Sequence, residues 1–189
     1  MNDVNEMDRL CIRQVLSGRK EAYALLVDCY GRSVFRLVAS MVPLKEDAEE
    51  LAQDAFVKAY EQLSSYDEHR ASFYTWVSRI AYRLCTDHYR RRPAVWLETD
   101  ERALQQVSDR EADEVMETDD DERIGQLTEA IRRLPPTERM LVQQHYFEGR
   151  ALKDIAEIVD TDAKTLATRL HRIRKKLFHY ITSHEHGTE

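Results

Sequence analysis

The sequence predicts an all-α protein made of two small helical domains joined by an acidic linker: residues 1–95, 96–123 and 124–189, the last carrying a helix-turn-helix. Three observations predict it. Five glycines and four prolines in 189 residues are too few turn residues for a many-stranded barrel or sandwich. Apolar residues in both flanking parts recur at helical spacing rather than alternating. Charge is partitioned along the chain. The net charge is −7, yet residues 1–97 balance 14 basic against 14 acidic groups, 98–123 carry −9 and 124–189 carry +2. Residues 70–92 hold six arginines against Asp87 alone, and residues 164–180 hold six Lys/Arg and no acid. Two cationic segments flanking an anionic connector point to a nucleic-acid partner despite the negative total.

The first helix is predicted over about 5–17, closed by Gly18. Lys20 to Met41 reads as a second, with Ala22, Leu25, Leu26, Cys29, Val34, Leu37 and Val38 feeding a core. Pro43 separates it from a third, about 46–63, whose stripe is Ala48, Leu51, Ala52, Ala55, Phe56, Ala59 and Leu63. Its opposite face is Glu46, Glu50, Gln53, Asp54, Val57 and Glu61. The fourth, about 72–92, starts at Ser72 as N-cap and stops before Pro93. Its apolar stripe is Phe73, Trp76, Val77, Ile80, Ala81 and Leu84, so Trp76 is expected in packing. At 100° per residue the far face collects Thr75, Ser78, Arg79, Tyr82, Thr86, Tyr89 and Arg90, aromatic and basic together.

The linker is acidic and has no core-forming stripe. Beyond it, Glu129–Leu134, Glu138–Glu148 and Leu152–Val159 read as short helices, and a longer one runs from about Asp162 towards His184. The stretch LKDIAEIVDTDAKTLATRLHRIRKKL has helix-turn-helix layout. Ile155, Ala156 and Val159 face inward, Asp160-Thr161 is the turn and Asp162 caps the second helix. That helix buries Leu166, Leu170, Ile173 and Leu177 and shows Lys164, Thr168, His171, Arg172 and Lys175 opposite. Residues near its N-terminus would reach base edges and the later cations phosphates.

Several chemistries find no support. The glycines (18, 31, 125, 149, 187) cannot form a G-x-G-x-x-G or a P-loop. Three scattered cysteines (11, 29, 85) suit a reducing compartment and make no Cys-x-x-Cys pair. Cys85 reads as a small apolar residue. The seven histidines do not cluster with carboxylates at metal spacing, apart from His184-x-His186, and no nucleophile–base–orienter set stands out. The expectation is no enzyme, no cofactor and no metal. No apolar run nears the roughly 18 residues of a membrane span, and the start, MNDVNEMDRL, is not a signal peptide.

Taken together, these segments resemble a bacterial RNA polymerase sigma factor of the extracytoplasmic-function (ECF) group, over almost the whole chain and least in the linker. DAEELAQDAFVKAY is similar to the family's helix that docks on the polymerase clamp helices. FYTWVSRIAYRLCTDHYRRR is similar to its promoter-melting helix. LPPTERMLVQQHYFEG plus the helix-turn-helix is similar to the module that reads the upstream promoter element. The resemblance implies a cytoplasmic protein that binds core RNA polymerase and promoter DNA, recognises the −35 and −10 elements and promotes melting. It implies polymerase contacts at Glu50, Gln53, Asp54 and Val57. It implies −10 contacts at Tyr74, Arg79, Tyr82, Arg83, Tyr89, Arg90 and Arg91, with a flipped base held near the loop 64–71. It implies −35 contacts at Lys164, Thr168, Arg169, His171, Arg172, Lys175 and Lys176. It also implies an anti-sigma partner and no membrane insertion of this chain. The sequence departs from the family at Arg83, where Asn is usual, at Asp160, where Gly is usual, at Thr161, usually apolar, and at Ala167, commonly Lys. The linker would lie in a basic polymerase channel, screen the cationic faces of the free chain, or act as a tether. The competing reading is a stand-alone helix-turn-helix regulator with an N-terminal sensor or dimerisation domain. A sigma mimic that sequesters a regulator is a further alternative.

Overall fold

A computed structural model describes residues 2–91, 108–110 and 121–185. Helix α1 spans Asn2–Leu16. Gly18, at φ +100, then takes a backbone conformation that costs a side-chain-bearing residue dearly and reverses the chain. The predicted second helix starts as a 3-10 turn, Lys20–Ala22, and becomes α-helical only as α2, Tyr23–Met41. Helix α3 is Lys45–Glu61 and α4 is Phe73–Arg91. Ser72 caps α4 as predicted: the Thr75 N–H donates to its Oγ at 3.1 Å. Whether Pro93 ends that helix, and most of the proposed linker, lie outside the described residues.

These helices share one core. Leu26, Val34, Leu37, Val38 and Met41 of α2 meet Ala48, Ala55, Phe56 and Ala59 of α3 and Phe73, Val77, Ala81 and Cys85 of α4. The alanine stripe of α3 lets its axis come close. Phe73 is the aromatic centre, with Tyr23, Tyr30, Tyr66 and Trp76 at ring-centroid distances of 6.5, 5.7, 5.9 and 5.9 Å. Trp76 is half-buried in this packing, as the stripe predicts. Two core expectations fail. Leu25 is 54% exposed and Cys29 is exposed as well. They stand one turn apart, about 100° from the gripped stripe that begins at Leu26.

In the C-terminal part, α5 is Asp121–Arg133, longer than predicted. Helix α6 is only Pro136–Val142, because its ladder widens into a π turn at Gln143–Phe147. Helix α7 is Leu152–Val159 and α8 is Ala163–Glu185. Leu166, Leu170, Ile173 and Leu177 of α8 are all at most 2% exposed and close a second core with Leu127, Leu134, Val142 and Ile155. Each contributes about 1.5–3 kcal/mol by leaving water. Met140 of α6 and Ile158 of α7 belong instead to the first core, buried against α2 and α4. The two halves therefore pack directly on one another.

Candidate nucleic-acid interface

The helix-turn-helix forms as its residues dictate. Asp160 ends α7 in the left-handed conformation, φ 60, ψ 53, and the Thr161 N–H donates back to the Ala156 carbonyl at 3.0 Å. Asp162 caps α8 through both oxygens: the Thr165 N–H donates at 2.8 Å and its hydroxyl at 2.6 Å. These bonds hold the Asp162 carboxyl below the usual carboxylate range. With the leucine stripe inward, Lys164, Thr168, Arg169 and Arg172 stand exposed on the opposite side.

Further along α8 the basic side chains are engaged. His171 Nε2 and Lys175 Nζ meet Asp109 at 3.1 and 2.9 Å. Lys175 first, then His171, pulls the Asp109 carboxyl down. This places one acid of the predicted linker on the basic face. Lys176 Nζ reaches Glu138 on α6 at 2.7 Å, and Arg174 donates to the Tyr146 hydroxyl at 3.1 Å.

On α3, Glu50, Gln53, Asp54 and Val57 are all exposed on one face, Val57 at 56%. Beside them, Tyr23, Val27, Phe35, Phe56 and Tyr60 line an apolar groove of about 590 Å³ between α2 and α3. A charged rim on an apolar groove is what a helical partner needs.

The far face of α4 is not open as the wheel predicts. Tyr74, Thr75 and Ser78 are 2%, 6% and 0% exposed; α7 packs on α4, Gln144 of the π turn meets Tyr74, and Thr75 is bonded to Ser72. The Tyr74 hydroxyl donates to Gln144 Oε1 at 2.6 Å, and the Arg150 guanidinium sits 3.5 Å from its ring centroid. Burial raises the Tyr74 pKa. Arg79 pairs with Asp160 at 2.6 Å. Tyr82 is half-buried near Arg169, its pKa raised by burial and partly offset by that cation. Tyr89 turns inward and donates its hydroxyl to the Met41 carbonyl. Of the predicted −10 residues, Arg83, Arg90 and Arg91 are exposed, with Arg90 beside Asp87.

Sequence reasoning missed Arg139, Gln144, Arg150 and Glu148, which join the halves. Arg139 donates to the Ser40 and Met41 carbonyls at 2.9 Å each, supplying cationic partners to the end of α2. Arg36 pairs with Glu148. A signal was present in LKDIAEIV, whose apolar residues form one arc broad enough to meet both cores.

Among the described residues no three His, Cys, Asp or Glu side chains form a metal-sized group. Burial pushes the Cys85 thiol up to about 12, leaving it an uncharged packing group. No helix among those residues is long and apolar enough to cross a membrane.

The family description Sigma-70 region 2 matches residues 26–94, and Sigma-70, region 4 matches residues 124–177. The chain is 32% identical over 173 residues to ECF RNA polymerase sigma factor SigW of Bacillus subtilis (strain 168), covering 88% of this chain and 92% of that one. The chain belongs to the ECF sigma factors. Similarity extends to ECF RNA polymerase sigma-E factor of Escherichia coli (strain K12), 30% identical over 181 residues, covering 90% of this chain and 92% of that one. In fold this sigma factor is similar to CnrH in complex with the cytosolic domain of CnrY, with TM-score 0.65 and 20% identity, covering 97% and 99% of the two chains. It is also similar to RpoE in complex with the anti-sigma factor NepR from Bartonella quintana, with TM-score 0.58 and 18% identity, covering 85% and 96%. Sigma factors are regulatory DNA-binding proteins that give core RNA polymerase its start site, and this one serves transcription initiation. Helices α3 and α4 fall in the region 2 match and Lys164–Lys176 in the region 4 match.

Proposed function

We propose that this sigma factor divides its work among three surfaces. The single observation that carries the reading is α8: a capped recognition helix with four leucine-type anchors inside and Lys164, Thr168, Arg169 and Arg172 open on the other side. Its first turns read the −35 element, where each good base contact discriminates by about 1–3 kcal/mol. His171, Lys175 and Lys176 follow on the phosphates once freed from Asp109 and Glu138. Glu50, Gln53, Asp54 and Val57 dock on core polymerase, and the groove beside them accepts an apolar helix face.

Helix α4 is the −10 and melting element. Arg83, Arg90 and Arg91 meet the backbone. Tyr74, Arg79, Tyr82 and Tyr89 act on the flipped base and its flank when α6 and α7 move off them. Unstacking costs a few kcal/mol per step, and aromatic stacking returns about 1–3 kcal/mol per base. On this reading residues 1–95 form the polymerase-binding and melting unit, and 124–189 the upstream-element unit. The chain performs no catalysis of its own, works in the cytoplasm and needs no cofactor. The RpoE structure contains the anti-sigma factor NepR and the CnrH structure the cytosolic domain of CnrY, which supports an anti-sigma partner here, competing with polymerase for the same faces.

Run-off transcription tests the whole reading. Core polymerase plus this protein must start transcripts at a defined site on genomic fragments, and Glu50→Lys/Asp54→Lys must abolish both pull-down of core enzyme and the transcript. A chain that binds an operator but never directs core polymerase would be the stand-alone regulator.

A further inference from the structure

We infer that Arg9 and Arg13 of α1 form a backbone clamp for single-stranded DNA, closing with Tyr66 and His69 a cleft that takes the nucleotide next to the flipped base. The inference rests on α4 and the loop 64–71 being the melting element, and it deepens that reading by giving α1 a part in it. Helix α1 lies outside the Sigma-70 region 2 match, which begins at residue 26.

The cleft follows from how α1 packs. Cys11, Ile12 and Val15 enter the first core, which leaves Arg9 and Arg13, one turn apart, exposed beside the loop that precedes α4. With Ile12, Tyr66 and His69 they line a cleft of about 420 Å³, within the range of small-ligand sites. The loop side is held in place. Asp67 accepts the His69 N–H on its carboxyl at 2.9 Å and the Arg70 N–H on its carbonyl at 3.1 Å. The Tyr66 hydroxyl donates to the Ala71 carbonyl at 3.0 Å, and its ring lies 5.9 and 5.2 Å from Phe73 and Trp76 of α4. A strand seated in the cleft is thereby set against the start of α4.

The arginines are preset for phosphate. Arg9 Nε meets Glu68 at 2.5 Å, and Arg13 Nε donates to the Arg9 carbonyl at 3.3 Å. Each contact uses the inner nitrogen. The terminal pair of each guanidinium, the fork that grips a phosphate, is not used by it. Arg9 is 50% and Glu68 38% exposed, so their pair is weak in water and gives way to a phosphate. Tyr66 adds the aromatic wall that single-strand sites combine with such cations. The cleft also stands at the opposite end of α4 from Arg90 and Arg91, about 27 Å away at 1.5 Å per residue. The two ends of the helix can thus hold different DNA, duplex at Arg90 and Arg91 and melted strand at α1.

The test uses the full chain with core polymerase and two probes from the genomic fragment that yields a run-off transcript. One probe is the promoter with its −10 region pre-melted by mismatches; the other is the upstream duplex alone. Arg9→Ala/Arg13→Ala should weaken binding to the pre-melted probe about tenfold and flatten its log–log salt slope by about 1.4, at ~0.7 per single-strand contact. Binding to the upstream duplex should stay within twofold. Arg9→Lys/Arg13→Lys keeps the charges and should restore the slope. Unchanged affinity and slope on the pre-melted probe overturn the clamp. So does an equal loss on both probes, which would mark a general loss of fold or charge. Arg90→Ala, far from the cleft, separates the two ideas. If it leaves permanganate-detected opening intact, the reading of α4 falls. If it lowers opening while the α1 variants bind as wild type does, only the clamp falls.

Discussion

Ile155 and Ile158 lie three residues apart on the same short helix, are 0% and 1% exposed, and belong to different cores. Truncating each to alanine should therefore break different things. Either change removes three carbons, about 2.4 kcal/mol at ~0.8 kcal/mol each. The cavity left behind brings the expected loss to about 2–5 kcal/mol. For Ile155→Ala the loss falls on the second core, where the side chain joins Leu166, Leu170 and Ile173. Hydrogen exchange should then rise throughout α7 and α8. For Ile158→Ala the loss falls on the contact with α2 and α4. The helix-turn-helix should stay protected while the two halves separate. Small-angle scattering reads that directly: a compact chain of this length has a radius of gyration of about 16 Å, and undocking must enlarge it. If Ile158→Ala leaves the radius unchanged and loosens α8 as much as Ile155→Ala does, the assignment of Ile158 to an inter-half contact is wrong.

Three further outcomes follow from the same contacts. Asp8 is 5% exposed, and its carboxyl accepts a bond from the Tyr30 hydroxyl at 2.6 Å; burial raises its pKa, with that bond partly opposing. A folded pKa above the unfolded one gives stability that is full at low pH and lost as pH rises through the folded value. Relative to Asp8→Asn, the wild-type chain should lose stability over that rise in urea titrations at stepped pH; parallel curves would refute it. The Asp162 pKa is lowered instead, so its cap operates at neutral pH and fails as pH falls through the lowered value. Asp162→Ala should speed exchange in the first turn of α8 at pH 7, and a difference that persists unchanged in acid would count against the cap. Lys175→Ala should flatten the salt dependence of promoter binding by about one phosphate contact, whereas Lys164→Ala should alter sequence preference. Filter binding across a salt series, on wild-type and −35-substituted DNA, tells the two apart.

The helices, the caps at Ser72 and Asp162 and the two buried stripes were legible because each is a local pattern. An apolar period or a cap needs only its neighbours in sequence. The acidic face of α3 and the open half of α8 were legible for the same reason. The covered face of α4 was not. Ser78 looks like a solvent residue on a wheel yet is fully buried, and the packing of α7 on α4, from far along the chain, is invisible to any local pattern. Leu25 and Cys29 err in the opposite direction: apolar by type, they sit beside a gripped stripe rather than on it. The π turn at Gln143–Phe147 had no sequence signature either. It supplies the buried Gln144 that meets Tyr74.

Charge ties these observations together. Within a net charge of −7, several acids stand on basic groups: Glu148 on Arg36, Asp160 on Arg79, Glu138 on Lys176 and Asp109 on Lys175, beside His171. A phosphate that reached one of these groups would have to displace its carboxylate. Each exchange swaps one anion for another, so its net gain is small in water and larger where polymerase excludes solvent. Rim pairs with half or more of a partner in solvent, such as Arg79–Asp160, yield readily. The Lys176–Glu138 pair, 14% and 25% exposed, yields last. On the proposed division of surfaces, specificity would come from the order of events: docking would leave the acids of α3 on polymerase, and a template held beside α4 and α8 would then compete for the arginines.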